Sequence, residues 1–201
     1  KKKEWNTADV KQTAKAGEHR FFHNNTGYIV WGNEGEIVAE TANRTGRWHD
    51  VMQMYRPTEV QGEVTTLYLK HGASPKQAAY QYLILPAADK EKVADFDLSD
   101  IRILRNDTIV QAVYAEKKST CWIAAYRPAQ LAVAKGITLN IQTPGVYMIR
   151  KRGKGRYTIS CASPTQQEES AKLEFNRKQI HISLPQGKEK GKTASVEVVV
   201  R

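Results

Sequence analysis

The sequence has little cysteine, and this shortage excludes two kinds of protein. Two cysteines in 201 residues, Cys121 and Cys161, are too few for a fold held together by disulfides. Each lies in an apolar run with the pattern of a strand, so we expect two buried thiols rather than a disulfide. The two cysteines and the five histidines also lack the spacing of a zinc site. We therefore predict no metal and no other cofactor.

Long apolar runs are also missing. No stretch approaches the roughly 18 apolar residues that a membrane helix needs, so we expect no membrane span. The first residues, KKKE, lack the apolar segment of a signal peptide, and we expect none in this chain. Hydrophobic residues nevertheless make up 40% of the sequence, with a mean hydropathy of −0.58. The composition is that of a soluble chain that can bury a core.

Acidic residues are outnumbered by basic ones. Lysine and arginine total 31 against 21 aspartates and glutamates, which gives a net charge of +10 and a pI near 9.6. This excess suits a polyanionic partner, either an acidic polysaccharide or a nucleic acid. It does not by itself distinguish the two partners.

The basic residues are densest near two glycines in the last third of the chain. There we predict a hairpin end whose side chains bind the carboxylate or sulfate groups of a carbohydrate. The candidate residues are Arg150, Lys151, Arg152, Lys154 and Arg156. Hairpin ends are commonly charged, so a solvated tip without a ligand is the alternative. A second basic segment, GKEKGK at residues 187–192, could add to the same site.

A nucleic-acid interface would need aromatic side chains interleaved with the basic ones. Tyr157 follows the basic tip, but strand alternation places it with Ile159 and Cys161, toward the core. We therefore expect no nucleic-acid partner.

Short alternating segments separated by turns recur at roughly ten-residue spacing, which predicts an all-β sandwich fold. Residues 64–70 alternate, with Thr65, Leu67 and Leu69 on one face. Residues 78–85 are apolar or aromatic at nearly every position. They predict a strand covered on both faces, inside a sandwich rather than at an edge, and ended by Pro86. Residues 87–96, with Asp89 as the cap, are the best helix candidate.

The segment Trp48-His49-Asp50 has residue types that suit acid–base chemistry. A general base also needs a partner and a substrate position, and neither is visible in the sequence. We expect instead a buried tryptophan beside a loop. No catalytic residue is assigned.

One motif carries a family resemblance. The pattern HGxxPxxxxYxYxxLP, which begins at His71 and ends at Pro86, resembles the central β-domain of polysaccharide lyase family 8. Four further segments agree in the same order: HNNTGY at 23–28, TGRW at 45–48, QAV at 111–113 and SPTQ at 163–166. The last departs from the family at Ser163, where an aspartate is usual.

The resemblance implies a fold and a function. Residues 1–98 would be the end of a large central β-sandwich, or supersandwich, and residues 99–201 a smaller C-terminal β-sandwich. Family members cleave hyaluronan, chondroitin or xanthan by β-elimination, with catalytic residues on an α-helical toroid that precedes the β-domains. This chain would be a non-catalytic portion of such a lyase, partnered by that toroid, the rest of the central domain and an acidic polysaccharide.

The location expected for the parent protein is secreted or periplasmic, in a bacterium. An autonomous polyanion-binding module is the alternative function, and a complete small enzyme is the least supported.

Overall fold

The structure, a computed structural model, describes residues 2–4, 10–15, 17–32, 35–134 and 136–200, with side chains from residue 13 onward. The chain divides into two compact units, residues 1–96 and 97–201. Both are built mainly of strands, which confirms the all-β prediction.

Among its described residues, the first unit contains two sheets and two short helices. Its elements are β1 (Lys2–Glu4), β2 (Val10–Ala14), β3 (His19–His23), β4 (Thr26–Val30), β5 (Glu36–Arg47), α1 (Trp48–Val51), β6 (Glu59–Lys70), β7 (Tyr82–Pro86) and α2 (Lys90–Ala94). One sheet has the order β1-β3-β4-β7 and the other β2-β5-β6. The core contains Phe21, Val30, Ile37 and Ala39.

Local sequence signals explain two of these elements. Asn24 and Asn25 both have positive φ, 43° and 55°, which asparagine tolerates, and they form the two-residue turn between β3 and β4. The predicted helix forms as α2, and the Asp89 carboxylate caps it by accepting from the Lys92 N–H at 2.7 Å. Gly27 allows α2 to approach β4, because a Cβ there would overlap the Val93 side chain.

Residues 64–85 form only part of the predicted structure. In β6, Thr65, Leu67 and Leu69 are partly buried and the residues between them are exposed, which confirms the alternation. The prediction for residues 78–85 was wrong. Only the last part of this segment joins β7, which is an edge strand of its sheet. Tyr80 and Tyr82 are 56% and 51% exposed. An apolar run alone does not distinguish a strand covered on both faces from an edge strand with exposed tyrosines.

The strand that begins at Glu36 continues to Arg47, and β5 pairs with β6 along all twelve of its residues. Its far end is exposed on both faces and carries α1. Trp48 is 61% exposed, so the expectation of a buried tryptophan was wrong. An ion pair from Arg47 to Asp50 at 3.2 Å and a hydrogen bond between His49 Nδ1 and the Tyr55 carbonyl at 2.9 Å close this tip without burying the indole.

Trp48→Ala should change the free energy of unfolding by less than about 0.5 kcal/mol, because most of the side chain is already in water and its ring contact is with Tyr55, which is also exposed. Denaturant unfolding followed by circular dichroism measures this value. The matched variant is Phe21→Ala in the same unit, where Phe21 is 1% exposed and truncation should cost about 3–5 kcal/mol. Equal losses in the two variants would contradict the exposed position of Trp48.

The second unit is a sandwich of a six-stranded and a four-stranded sheet. Its strands are β8 (Ile101–Asn106), β9 (Val110–Ala115), β10 (Thr120–Ala125), β11 (Ala129–Ala134), β12 (Ile137–Ile141), β13 (Gly145–Gly153), β14 (Arg156–Ala162), β15 (Ser170–Phe175), β16 (Lys178–Ser183) and β17 (Ala194–Val199). The orders are β17-β14-β13-β10-β9-β8 and β11-β12-β15-β16. The sequence patterns did not predict β11.

The core of the second unit lies between these sheets and includes Leu139, Ile149, Ile159, Leu173, Phe175 and Ile182. Cys121 and Cys161 belong to it as free thiols, 0% and 1% exposed, which confirms the prediction of two buried thiols. Burial raises the pKa of the Cys121 thiol to about 12 and that of Cys161 to about 11, from an ordinary value of 9.0.

These shifts predict a loss of stability at high pH. Above about pH 9 the unfolded chain releases thiol protons that the folded chain retains, so the free energy of unfolding falls as pH rises toward the folded pKa values. Below that pH the contribution is constant. Denaturant unfolding near pH 8 and near pH 10 should show a larger loss for the natural chain than for Cys121→Ala/Cys161→Ala. The same loss in both proteins would contradict the assignment.

Candidate carbohydrate-binding surface

The predicted basic site lies at the end of the hairpin formed by β13 and β14. Gly153 and Gly155 have φ of 148° and 65°, values that favour glycine, so this sequence turns tightly here. A Cβ on Gly155 would also overlap the Val200 carbonyl oxygen. The five predicted cations are therefore neighbours, with three on β13, one in the turn and one at the start of β14.

Strand alternation places these neighbouring cations on different faces of the sheet. Arg150 lies opposite Thr158, and Arg156 lies opposite Val199, on the outer face of the six-stranded sheet. Arg152 belongs to the same face, since it donates from Nε to the Thr158 hydroxyl at 2.9 Å. Three of the five predicted residues therefore share one surface.

Lys151 lies on the opposite face of the sheet, the face toward the core. It lies opposite Tyr157, whose ring meets Phe175 edge-on in the core, at 4.9 Å between centroids. Lys151 is exposed because it extends beyond the end of the core. Lys154 is exposed in the turn itself.

Hydrogen bonds hold two of the arginines against the sheet. Arg150 donates from Nε to the Thr120 hydroxyl at 3.3 Å, and Arg152 makes the bond to Thr158 described above. Thr120 is fully buried although it faces outward. Both bonds use Nε, so the two Nη groups of each guanidinium remain as the fork that engages a carboxylate or sulfate.

An apolar row crosses the same outer face. Val113, Trp122 and Met148 lie directly opposite one another on three adjacent strands, and each is partly exposed. Val146, two residues before Met148, is 41% exposed. Sequence reasoning did not single out Trp122. Its signal was readable, because Cys121 and Ile123 on either side of it turn inward.

The second basic segment, residues 187–192, lies in a turn before β17, and Lys192 pairs there with Glu189.

A different group of rings lies in the first unit. The ring centroids of His71 and Tyr80 are 6.1 Å apart, and the Tyr80 ring stacks on the Tyr82 ring with 6.1 Å between centroids. His71 also lines a cavity of about 560 Å³. Tyr82 lies opposite Val30, on the side of the sheet that faces the core, and it is exposed because β7 is the last strand of this sheet. We interpret these rings as the open side of a sandwich and assign them no chemistry.

In the described part of the chain, no three His, Cys, Asp or Glu side chains come together as metal ligands would. Neither α1 nor α2 is long enough to cross a membrane, and no other described helix is.

Comparison with known families gives two adjacent matches in chain order. The model for "Polysaccharide lyase family 8, super-sandwich domain" matches residues 1–97, and the model for "Polysaccharide lyase family 8, C-terminal beta-sandwich domain" matches residues 102–172.

Individual relatives agree. Chondroitinase-AC of Pedobacter heparinus is 27% identical over 188 residues, which cover 90% of this chain and 26% of that protein. Hyaluronate lyase of Thermasporomyces composti is 26% identical over 75% of this chain and 19% of its own length. The chain thus spans about a quarter or less of the curated relatives it matches.

Solved structures give the same result. A chondroitinase AC lyase superposes with a TM-score of 0.80 at 27% identity, over 94% of this chain and 29% of that one. The chondroitin AC lyase of Streptomyces coelicolor A3 shares the fold, with a TM-score of 0.68 at 18% identity over 95% of this chain and 28% of its own. These matches confirm the resemblance found in the motifs: the chain belongs to polysaccharide lyase family 8, and it represents the C-terminal part of that family's enzymes.

Proposed function

We propose that this chain is the β-domain portion of a lyase that cleaves an acidic polysaccharide of the hyaluronan or chondroitin type by β-elimination. The observation that carries this proposal is the pair of consecutive family matches, over residues 1–97 and 102–172. The names of the relatives, a chondroitinase and a hyaluronate lyase, supply the substrate class. The chain's own share is to scaffold the enzyme and to bind the polymer.

The reaction needs a base for the proton at C5 of the uronic acid, a group that neutralises its carboxylate and an acid for the leaving oxygen. In the first unit, His49 is engaged with the Tyr55 carbonyl, and Arg20 is engaged with backbone carbonyls. No base, neutralising group and acid are assigned here. We propose that an α-helical toroid elsewhere in a longer protein supplies them.

Two further proposals follow from the family. Residues 1–98 are the end of the central domain and residues 99–201 the C-terminal domain, an assignment that stays a prediction. The parent protein is secreted or periplasmic in a bacterium, where long extracellular polysaccharides are accessible.

Affinity chromatography of the chain on immobilised chondroitin sulfate, hyaluronan and neutral dextran tests the binding role. We expect retention on the two acidic polymers, elution by added salt and no retention on dextran, because the chain carries a net charge of +10. Passage through all three columns, or equal retention on dextran, would contradict a role in binding acidic polysaccharide.

A further inference from the structure

We infer that the outer face of the six-stranded sheet binds a segment of acidic polysaccharide, with a sugar ring stacked on Trp122 and its carboxylate or sulfate groups held by Arg150, Arg152 and Arg156. This inference rests on the proposed function. It also narrows the predicted site, because it selects three of the five tip cations and adds an aromatic residue that the sequence reasoning had missed.

The apolar row is the first observation. The solvent-facing side of a sandwich sheet is ordinarily polar, and large apolar side chains placed together there mark a binding surface. Val113, Trp122 and Met148 form such a row across β9, β10 and β13. An indole lying on a sheet offers a flat apolar surface with one N–H donor at its edge, which suits a sugar ring with apolar C–H faces and polar hydroxyls.

The position of the arginines is the second observation. Thr120 is two residues before Trp122 and lies opposite Arg150, so Arg150 is in the row adjacent to Trp122. Adjacent rows on one face are roughly 7 Å apart along the strands. An acidic group on a ring stacked over Trp122, or on the next ring, is therefore within reach of Arg150, with Arg152 and Arg156 farther along.

The arginines are also held in place before any ligand binds. Arg150 and Arg152 are fixed by Thr120 and Thr158, at 3.3 Å and 2.9 Å. Ordering long side chains in advance removes part of the entropy cost of binding, so these arginines bind an anion more favourably than mobile surface lysines.

One carboxylate shares the face and suggests the path of the polymer. Glu197 on β17 lies opposite Thr158 and is exposed. It repels an anionic chain from the β17 side of the sheet. The path that remains crosses β14, β13 and β10, over Arg156, Arg150 and Trp122.

The test measures binding of chondroitin sulfate to the full 201-residue chain by titration calorimetry. Arg150→Gln/Arg152→Gln/Arg156→Gln should weaken binding by a hundredfold or more, because each charge-assisted hydrogen bond to the polymer contributes roughly tenfold to the affinity. The control, Lys92→Gln/Lys172→Gln/Lys178→Gln, removes the same charge from α2, β15 and β16, outside this face, and should weaken binding by less than about threefold. A Lys151→Gln/Lys154→Gln pair should behave like the control.

Trp122 has a separate signature. Trp122→Ala should weaken binding of chondroitin sulfate about three- to tenfold, but it should leave binding of poly-glutamate unchanged, because that polyanion has no sugar ring to stack. Trp122→Tyr should restore most of the affinity. Circular dichroism of each variant excludes misfolding, and the tyrosine and glutamine variants keep the test informative should the alanine variant not fold.

Each outcome is decisive. If the natural chain does not bind chondroitin sulfate, the proposed binding function fails together with this inference. If it binds but the arginine triple behaves like the lysine control, the function stands and this face is wrong. Tighter binding of a single-stranded polynucleotide than of chondroitin sulfate would likewise overturn the assignment of the ligand.

Discussion

Phe175→Ala is expected to lower the free energy of unfolding by about 3–5 kcal/mol, the ordinary cost of truncating a fully buried phenylalanine. Phe175 is 0% exposed and lies opposite Leu139, between the two sheets of the second unit. Its ring also meets Tyr157 edge-on at 4.9 Å, a contact that alanine cannot make. The cavity left behind would be lined by rigid strands on both sides, which limits its collapse.

Scanning calorimetry measures the effect. The chain has two compact units, so the thermogram has either two transitions or one. Where two are resolved, we compare the midpoint temperature of the transition that Phe175→Ala shifts. Where only one is seen, we compare its midpoint temperature. Tyr126→Ala is the matched control in the same unit, because Tyr126 is 56% exposed and its truncation should cost less than about 0.5 kcal/mol. A cost below about 1 kcal/mol for Phe175→Ala would show that the two sheets do not pack as described.

Arg20→Met is expected to cost about 2–4 kcal/mol, through the removal of one side chain that closes the end of α2. Arg20 Nη1 lies 2.9, 2.7 and 2.9 Å from the carbonyl oxygens of Val93, Ala94 and Phe96. Those of Val93 and Ala94 are carbonyls that a helix leaves without an intrahelical partner, and Phe96 lies just beyond the C-cap Asp95. Nη1 carries two hydrogens for three acceptors, so the total remains below that of three full bonds.

The side chain of Arg20 is 15% exposed, so solvent does not replace the missing donors efficiently. Arg20→Lys is the matched control, since an ammonium group keeps the charge but not the planar fork, and it should recover part of the stability. Denaturant unfolding gives the free energies, and hydrogen exchange at the Val93 and Asp95 amides reports on α2 directly. Unchanged exchange in Arg20→Met would contradict this role.

Much of the fold could be predicted because its signals are local. Alternation in β6 and β14, the asparagine turn before β4 and the Asp89 cap of α2 each depend on a few consecutive residues. The predictions that were wrong concern exposure, which depends on residues distant in the sequence. The exposure of Trp48 and Tyr82 is decided by which strands reach them, and a short sequence pattern does not contain that information.

In the candidate site, too, local features could be predicted from the sequence and contacts between distant residues could not. Charge density identified the hairpin end, but density does not say on which face each side chain lies. The alternation that places Tyr157 inward also places Lys151 with it and Arg150 on the other side, so this separation was available from the sequence. The alignment of Trp122 with Met148 was not, since it requires the register between β10 and β13.

The central claim is that this chain is the non-catalytic β-domain portion of a polysaccharide lyase. It is tested most directly by the ultraviolet absorbance of the unsaturated uronic acid that β-elimination produces, measured on hyaluronan and chondroitin sulfate. We expect no rise with this chain alone and a steady rise with the longer protein that we propose contains it. A rise with the repurified chain alone would contradict the claim, and it would make Trp48, His49, His71 and Tyr80 the first residues to replace.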